Sequence, residues 1–439
     1  MSKDEELEYY RNRCDTLEQD NKELREENKE LREENTQIKN TVSALAARNI
    51  KVKPNKPKTI PKKNNSKHHR KSRNRPTHID DAITVDQKEC NICGTKLSKP
   101  TDSYTRIVED VIHTKAIITQ YTIVRRYCKH CKRQVSGQVH TALPNERFGI
   151  RLMVLIISLK TLGLSYGKIS HLLQMLYSLH ITNSAINHAI SITSQAFGSR
   201  YHAMITELKN ESNIHGDETS WRVNGVNYWL WAFVSKWTVI YEIDKSRGAS
   251  VPKRILKGYE GNITSDSWSA WNHVGKTHQR CHIHYIREIN DTLQYKNPGP
   301  EFTVFAKQLK RIIYDSHGVA KIKSKSKRIS AKKNLELRIL YIISKRYTEK
   351  HCIRFVKRLR REQKMLFTFL ITGTDSHNNT AERAIRPNVI IRKITNCHRT
   401  IHGADSHKIL MSVKETCRLR GLNFHDYSLE YLGDFTSKL

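Results

Sequence analysis

The chain has 439 residues, of which 37% are hydrophobic, enough for two or three domains with at least one sizeable core. Its 77 Lys and Arg against 43 Asp and Glu give a net charge of +34, which favours a polyanion such as DNA or RNA as partner, although ribosome or membrane-surface binding would need a similar balance. No apolar run approaches the roughly 20 residues that span a bilayer, and the acidic N-terminus lacks the apolar core of a secretion signal. We therefore expect the protein in a reducing, cytoplasmic compartment. In such a compartment, paired spacings among its nine cysteines indicate metal binding.

Residues 1–48 are predicted to form a coiled coil, because NKELREENKELREEN at 21–35 repeats with a period of seven. Leucine or isoleucine recurs at one seam position and mainly asparagine at the other. The g positions are acidic and the e positions are basic, so they attract each other in a parallel pair. These are Asp20, Glu27 and Glu34 at g, and Arg25, Arg32 and Lys39 at e. We expect a parallel homodimer; a solvated single helix is the alternative, since asparagines in the seam lower its stability.

Residues 49–80 are predicted to be a flexible basic linker. Lys51 to Arg75 holds eleven Lys or Arg, no acid and three prolines, a composition that cannot form a core. The segment is suited to lie along phosphates, or it is a solvated tether with no specific contact.

Residues 81–142 hold two Cys-x2-Cys pairs, Cys90 with Cys93 and Cys128 with Cys131, separated by 34 residues. Four thiolates suit a tetrahedral zinc ion, and Gly94 permits a tight turn around it. AIITQYTIVRRY between the pairs has the composition of a strand, so the segment resembles a zinc ribbon with a structural Zn²⁺. Chance pairs or a redox pair are the alternatives.

Residues 143–210 are predicted to be helical. LSYGKISHLLQMLY has apolar residues at helical spacing, SLHIT makes a short turn, and NSAINHAISI starts a second helix with Asn183 as its cap. In a basic protein this pattern suggests a DNA-binding helix-turn-helix, although any helical hairpin has the same pattern.

Residues 211–400 are predicted to be the catalytic domain. NIHGDETSWRV, NYWLWAFVS and WTVIYEID are strand-like, SVPKRILKGYEG is predicted to be a helix that Gly261 ends, and NITSDSW is a fourth strand. Three strands in a meander, then a helix and a strand, is the order of a ribonuclease-H-like domain. In that order Asp217 on the first strand and Asp266 at the end of the fourth become neighbours. In a structural interpretation, these two carboxylates form ion pairs with Lys or Arg. In the catalytic interpretation, they bind a pair of divalent ions such as Mg²⁺.

The stretch SHNNTAERAIRPNVIIRK at 376–393 supplies a third acid, Glu382. Asn379 or Thr380 is predicted to cap a helix that contains Glu382, and Pro387 to limit its length. A helical ion pair with Arg386, worth a few tenths of a kcal/mol, is one interpretation. In the other, Glu382 holds metal while basic side chains of this segment hold the DNA backbone. Those side chains are Arg383, Arg386, Arg392 and Lys393.

Several motifs in order resemble the transposases of the insertion sequence sixty-six family. They are HGDETSW, SRG at 246–248, TSDSW, CHIH at 281–284, NNTAERAIRPNVIIRK and the tail ETCRLRGLNFHDYSLEYL. The resemblance covers nearly the whole chain. One departure is visible, because Ser267 and Trp268 stand where the family usually has glycine and an aromatic residue.

The resemblance implies an Asp-Asp-Glu transposase of a prokaryotic cytoplasm, with Asp217, Asp266 and Glu382 as catalytic residues and ligands of Mg²⁺ or Mn²⁺. It implies cleavage at terminal inverted repeats and joining to target DNA, with accessory transposition proteins as further candidate partners. Cys281 and His284 match its Cys-x2-His motif and are interpreted, with Asn379, as supporting residues rather than zinc ligands.

The expected fold is therefore a multidomain α+β chain with a coiled coil, a zinc ribbon, a helix-turn-helix-like segment and a ribonuclease-H-like catalytic domain. Basic amphipathic stretches predict a helical insertion at about 286–375, and residues 401–439 a helical C-terminal segment. Two other functions stay open: a non-catalytic DNA-binding regulator derived from a transposase, and a nuclease of the same fold that cuts without joining.

Overall fold

The computed structural model describes residues 78–86, 88–89, 92–99, 105–108, 115–396 and 398–437. In the N-terminal segment it describes only four isolated positions, which are helical: Gln19, Glu26, Glu30 and Glu33. The rest of the predicted coiled coil, and the basic linker up to residue 77, lie outside the described residues. The chain divides into two units, Met1–Ile107 and Val108–Leu439.

In the first unit a short hairpin surrounds Cys93. The Leu97 N–H donates to the Lys88 carbonyl over 2.9 Å, and Gly94 has a φ of +72°. That backbone conformation is in the left-handed region that glycine adopts without strain. The tight turn predicted at Gly94 is therefore confirmed.

The second unit begins with a hairpin of β1 (Arg125–Cys128) and antiparallel β2 (Arg133–Ser136). The predicted strand AIITQYTIVRRY is wrong over most of its length, since residues 115–124 form no regular structure. Ile117 and Ile118 are 84% and 90% exposed. Strand propensity alone does not produce a strand where no partner buries its side chains.

Four helices follow, and they include the predicted helical hairpin. They are α1 (Ile150–Thr161), α2 (Tyr166–Tyr177), α3 (Asn183–Ala196) and α4 (Gly198–Lys209). Ser165 caps α2, and Ser178 in the left-handed conformation ends it. The cap of α3 is Thr182, whose hydroxyl accepts from the Ala185 N–H, so the predicted Asn183 cap is wrong by one residue.

A five-stranded mixed sheet forms the centre of this unit. Its strands are β3 (Asn213–Val223), β4 (Val226–Val234), β5 (Val239–Asp244), β6 (Asn262–Ser265) and β7 (Thr277–Arg280). The order is β5-β4-β3-β6-β7; β6 is parallel to β3 and β7 to β6, while the other neighbours are antiparallel. Strands form in all four predicted segments, but the fourth is shorter than predicted, because β6 ends at Ser265 and Asp266 follows it directly. The fifth, β7, was not predicted because THQR offers no apolar alternation.

The helix between β5 and β6 is shorter than predicted. This helix, α5 (Ser250–Ile255), ends well before Gly261. Gly258 has a φ of +79° and turns the chain, and Leu256 and Tyr259 are buried on either side of it. Burial of these two side chains therefore takes precedence over continuing the helix.

The predicted helical insertion is confirmed and has its own core. Its helices are α6 (His282–Tyr295), α7 (Pro300–Ala320), α8 (Lys325–Ser344), α9 (Lys350–Glu362) and the short α10 (Phe369–Thr372). Their buried faces meet in a separate hydrophobic cluster that includes Phe302, Phe305 and Phe355.

Three final helices close the unit: α11 (Asn379–Thr395), α12 (Ile401–Leu419) and α13 (Phe424–Ser437). Apolar residues of α11 and α12 pack on one face of the sheet around Trp221. The opposite face, with Trp231 and Trp271, joins the cluster that holds α1 to α4. None of the helices in the described part of the chain is long and apolar enough to cross a membrane.

Candidate active site

The parallel pairing of β3 with β6 brings Asp217 and Asp266 together. The register matches His215 with Thr264, and each aspartate lies two residues further on. Because side chains alternate along a strand, Asp217 shares its face with Trp221, the face on which α11 packs. Two acids 49 positions apart in sequence thus become neighbours, Asp217 within β3 and Asp266 directly after the end of β6, as the strand order predicts.

Glu382 approaches from the first turn of α11. The helix is fixed by Asn378, whose Nδ2 donates to the Gly216 carbonyl over 2.8 Å and whose backbone N–H donates to Cys281 Sγ over 3.2 Å. Asn378 occupies the cap position without a capping hydrogen bond from its side chain. The predicted cap at Asn379 or Thr380 is therefore wrong, because the helix starts one residue earlier and the Asn378 amide binds the strand instead.

The prediction that Pro387 limits this helix is also wrong. The helix continues through Pro387 to Thr395. Proline leaves the carbonyl four residues before it without its helical donor, and Arg383 at that position is exposed, so water can satisfy it. Burial of Ala384, Ile385 and Ile391 against the sheet holds the two halves of the helix in line.

The carboxylates repel one another at close range. Burial, and then the negative charges of Glu218, Asp266 and Glu382, raise the pKa of Asp217 to about 8. Within the part of the chain that the structure describes, no Lys or Arg forms an ion pair with Asp217, Asp266 or Glu382. Glu382 Oε1 is buried without a hydrogen-bond partner. A divalent cation neutralises a cluster of oxygen ligands of this kind.

The spacing of these acids is informative. Of the described residues, only Glu301, Glu349 and Cys352 have ligand atoms that all lie within 4.8 Å of one another, so Asp217, Asp266 and Glu382 are spread more widely. The ligand atoms of the three acids therefore do not all lie close enough together in this structure to surround a single ion, and the number of ions stays a prediction. Glu301 and Glu349 instead accept hydrogen bonds from backbone N–H groups.

Cys281 and His284 lie beside the acids as supporting residues would. Cys281 is 1% exposed, and burial raises the pKa of its thiol, which disfavours the thiolate that zinc needs. His284 Nε2 is 3.7 Å from Glu382 Oε1. The ion pair considered between Glu382 and Arg386 is not formed among the described residues, where Glu382 faces His284 instead.

Sequence reasoning missed the pair formed by buried Glu218, on the opposite face of β3, and partly exposed Arg247. Glu218 Oε1 accepts from Arg247 Nη2 over 3.1 Å, and Oε2 accepts from Trp271 Nε1 over 3.2 Å. Burial and the charge of Asp266 raise the pKa of Glu218. The only sequence signals were the second acid of HGDETSW and the arginine of SRG.

The loop after Asp266 accommodates the unusual Ser267 and Trp268. The Trp268 backbone N–H donates to Asp266 Oδ1 over 2.9 Å, and its indole Nε1 donates to the Arg247 carbonyl over 3.0 Å. Its ring stacks on the Arg247 guanidinium at 4.1 Å. Ser267 Oγ donates to Glu362 Oε2 of α9 over 2.9 Å. Ser267, which stands where the family usually has glycine, and the aromatic Trp268 therefore both have specific partners.

Three of the basic residues assigned to DNA are exposed on α11, and one is engaged. Arg383, Arg386 and Lys393 are exposed. The Arg392 guanidinium donates to the hydroxyls of Thr219 and Ser220 and to the Ser220 carbonyl, so it holds α11 on β3. DNA contact by these four side chains stays a prediction.

The zinc assignment also stays a prediction. The Cys131 N–H donates to Cys128 Sγ over 3.4 Å, and this hydrogen bond is the main cause of the lowered pKa of Cys128. A thiolate stabilised by backbone N–H groups suits metal binding. Cys93 lies in the hairpin of the first unit, and Cys90 lies outside the described residues.

None of the curated proteins matches the chain. The family model described as Transposase IS66 family matches residues 146–406, which extend from just before α1 through all three acids into the first turns of α12. That match covers more than half of the 439 residues. The chain therefore belongs to the IS66 family of transposases.

Proposed function

We propose that this protein is a metal-dependent DNA transposase that cuts at the terminal inverted repeats of its element and joins the freed ends to target DNA. The observation that carries the proposal is the cluster of Asp217, Asp266 and Glu382, which form no ion pair with a Lys or Arg among the described residues, although Arg280 lies near Asp266 and donates to its backbone carbonyl. Family membership and the net charge of +34 support DNA as the substrate. The strand order of the sheet supports a ribonuclease-H-like catalytic domain.

Mg²⁺ or Mn²⁺ fits the donor set, because all three residues offer carboxylate oxygens and Glu382 Oε1 lacks a partner. When bound, two such ions supply Lewis-acid activation of water and stabilise charge on the attacking and leaving oxygens. Asp217 on β3, Asp266 directly after β6 and Glu382 on α11 would hold them. With its pKa raised to about 8, Asp217 must lose its proton to take part.

The other residues of the site orient these acids and the DNA. Asn378 and Cys281 fix the start of α11, which sets the position of Glu382. Arg383 and Arg386 follow Glu382 on exposed positions, where they hold phosphates of the DNA backbone near the reacting one. Holding the reacting groups in line supplies much of the rate enhancement in a reaction of this type.

The N-terminal parts complete the proposal. Cys90, Cys93, Cys128 and Cys131 hold a structural Zn²⁺, the helical hairpin α2–α3 binds the terminal repeats, and the coiled coil joins two chains so that two ends are processed together. Metal analysis should find close to one zinc per chain; a content below about half an equivalent would contradict the tetrahedral four-cysteine site.

The proposal is tested with DNA that carries the inverted repeats flanking the protein's own gene, incubated with the full chain in Mg²⁺. Asp217→Asn, Asp266→Asn and Glu382→Gln should each abolish cleavage. Asp291→Asn and Glu430→Gln, at exposed positions, serve as matched controls and should cut normally. Full cleavage by any of the three site variants would sink the assignment.

The products distinguish the alternatives. A transposase gives covalently joined donor and target strands, whereas a nuclease gives cut ends only. A regulator binds the repeats and leaves them intact in both Mg²⁺ and Mn²⁺.

A further inference from the structure

The helical insertion contains a cationic cavity of about 290 Å³ that the catalytic assignment does not use. It is lined by Glu288 of α6 and by five residues of α9. Those five are Arg354, Phe355, Lys357, Arg358 and Arg361. Four cations thus face one acid across the cavity.

The local acids do not neutralise this charge. Glu288 is shared between Arg354 and Arg358, at 3.0 and 2.5 Å. Arg361 pairs with Glu362 over 3.1 Å, and Lys357 is exposed with no ion pair in the described part of the chain. Four positive charges against two negative ones leave an excess that attracts an anion.

Of these arginines Arg358 is the one held away from water, with 18% of its side chain exposed against 46% for Arg354 and 58% for Arg361. The Arg358 guanidinium stacks over the Tyr285 ring at 4.0 Å, and its Nε and Nη2 have no hydrogen-bond partner. Arg354 stacks over Phe355 at 5.2 Å. Stacked guanidinium groups have already lost much of their freedom, so binding an anion costs less entropy than it does on a solvated basic helix.

The cavity is linked to the candidate active site by hydrogen bonds. Glu362 is 1% exposed and accepts from Arg361 on one oxygen and from Ser267 on the other. The Tyr285 hydroxyl, beneath Arg358, also donates to Glu362 over 2.5 Å. Because Ser267 follows Asp266 directly, the cavity lies within the reach of DNA that passes the catalytic acids.

We propose that this cavity binds a phosphate of the DNA backbone a few nucleotides from the reacting one, so that α9 positions the strand entering the active site. This inference rests on the proposed function for the identity of the DNA. Its chemistry is that of a phosphodiester held by arginine forks and a lysine. A free phosphate compound shares this chemistry, so the test must separate the two sources.

The test measures binding of terminal-repeat DNA to the full chain in EDTA across a range of salt concentrations. Each phosphate contact contributes about 0.9 to the slope of log K against log salt for duplex DNA. Arg354→Gln combined with Lys357→Gln should lower that slope by about one unit. The matched control, Lys325→Gln with Lys327→Gln, removes the same charge from exposed positions of α8 and should change it by less than half as much. Equal losses in the two double variants would overturn the proposal.

A second measurement locates the phosphate. Replacing single phosphates by neutral methylphosphonates near the cleavage point should weaken wild-type binding at one particular linkage, and the cavity variant should be insensitive there. If the variant keeps the full wild-type pattern of sensitivity, the proposal is wrong. If inorganic phosphate binds the wild type but not the variant while DNA binding is unchanged, the cavity takes a small phosphate compound and the proposal fails.

Failure of the catalytic assignment gives a different result. Binding in EDTA does not depend on cleavage, so the slope difference should persist in an Asp217→Asn background. A chain that cuts no DNA in Mg²⁺ but shows the slope difference contradicts the proposed function alone. A chain that cuts DNA but shows no slope difference contradicts only the cavity proposal.

Discussion

The carboxyl group of Asp217 is buried and lies near three other acids. The stability of the metal-free protein should therefore depend strongly on pH. The pKa of Asp217 is about 8 in the folded protein, against about 3.9 in an unfolded chain. Between these two values the folded state keeps a proton that the unfolded state has released. In metal-free protein this group therefore lowers stability progressively as pH rises through that window, and fully above about pH 8.

Asp217→Asn should remove this penalty. In EDTA at pH 8.5 we expect the variant to be more stable than the wild type by on the order of 2 kcal/mol. Full linkage would give more, because each pKa unit between the unfolded and the folded value corresponds to about 1.4 kcal/mol. Water and side-chain movement relieve part of the repulsion and lower this figure. At about pH 4 the difference should disappear, because the wild-type carboxyl is then neutral too. Urea denaturation at both pH values measures this. Asp291→Asn is the control and should show no such pH dependence; parallel pH curves for wild type and Asp217→Asn would contradict the pKa shift.

At this scale the sequence predicted what depends on strand order and missed what depends on side-chain direction. Asp217 and Asp266 could be paired because the order of the strands fixes their neighbours. The sequence predicts a cap at Asn379 or Thr380, whereas the structure has Asn378 at that position, and its hydrogen bond to the Gly216 carbonyl depends on a strand that is distant in sequence. Glu218 could not be separated from Asp217 by motif alone; its contact with Arg247 comes from a residue 29 positions away.

Among the elements, β3 requires glycine at position 216 because of its neighbour rather than its backbone angle. A Cβ there would lie 2.3 Å from Trp271. Trp271 is 0% exposed and packs edge-on against Trp231 and Phe233, so it has no room to move. The Trp271 Nε1 also donates a hydrogen bond to Glu218. The contact between Trp271 and Gly216 therefore lies next to Asp217 and Glu218 on β3.

Gly216→Ala should therefore destabilise the protein by about 3 kcal/mol, the upper part of the range for overpacked cores. Gly198→Ala is the matched control, because a Cβ there meets nothing within 4 Å, and alanine favours the helix by up to about 1 kcal/mol. Thermal or urea unfolding measures both. If Gly216→Ala unfolds like the wild type, the packing of Trp271 on β3 is not as described.

The junction of α11 with β3 should be sensitive to Asn378, which is 0% exposed. Asn378→Ala removes the hydrogen bond to the Gly216 carbonyl and leaves that acceptor buried, at a cost of about 2 kcal/mol. Cleavage should fall further than stability accounts for, because the position of Glu382 depends on the same junction. Asn334→Ala on α8 is an exposed control. Assays at a temperature where both variants are fully folded separate the effects; normal cleavage by folded Asn378→Ala would show that Glu382 is positioned by other contacts.

At the scale of the whole molecule, the C-terminal helices α12 and α13 pack into the hydrophobic core formed by α1 to α4, the helices that precede the sheet in sequence. Leu410, Val413 and Leu432 belong to the same hydrophobic cluster as α1 to α4, and Tyr431 stacks on Phe197 with ring centroids 4.6 Å apart. The predicted elements were right, but this association was not predicted. Contacts between residues more than 200 positions apart leave no periodic signal in either segment.

The N-terminal repeat leads to a prediction about assembly. In a parallel dimer the acidic g positions meet basic e positions of the partner helix, whereas in an antiparallel one g meets g. Glu27→Lys with Glu34→Lys should therefore weaken a parallel dimer, turning attractive contacts worth about 0.5 kcal/mol each into repulsive ones and raising the dissociation constant at least tenfold. Glu26→Lys with Glu33→Lys is the control, since both residues are helical and exposed and lie outside the predicted seam.

Light scattering across micromolar concentrations measures the change. At concentrations where the g-position variant has the mass of one chain, the wild type and the control should have the mass of two chains. An antiparallel pair would be little affected, because lysine facing lysine repels as glutamate facing glutamate does. A wild type that is monomeric at these concentrations would rule out the coiled coil as the means of joining two chains, and two DNA ends would then have to be brought together by another part of the protein.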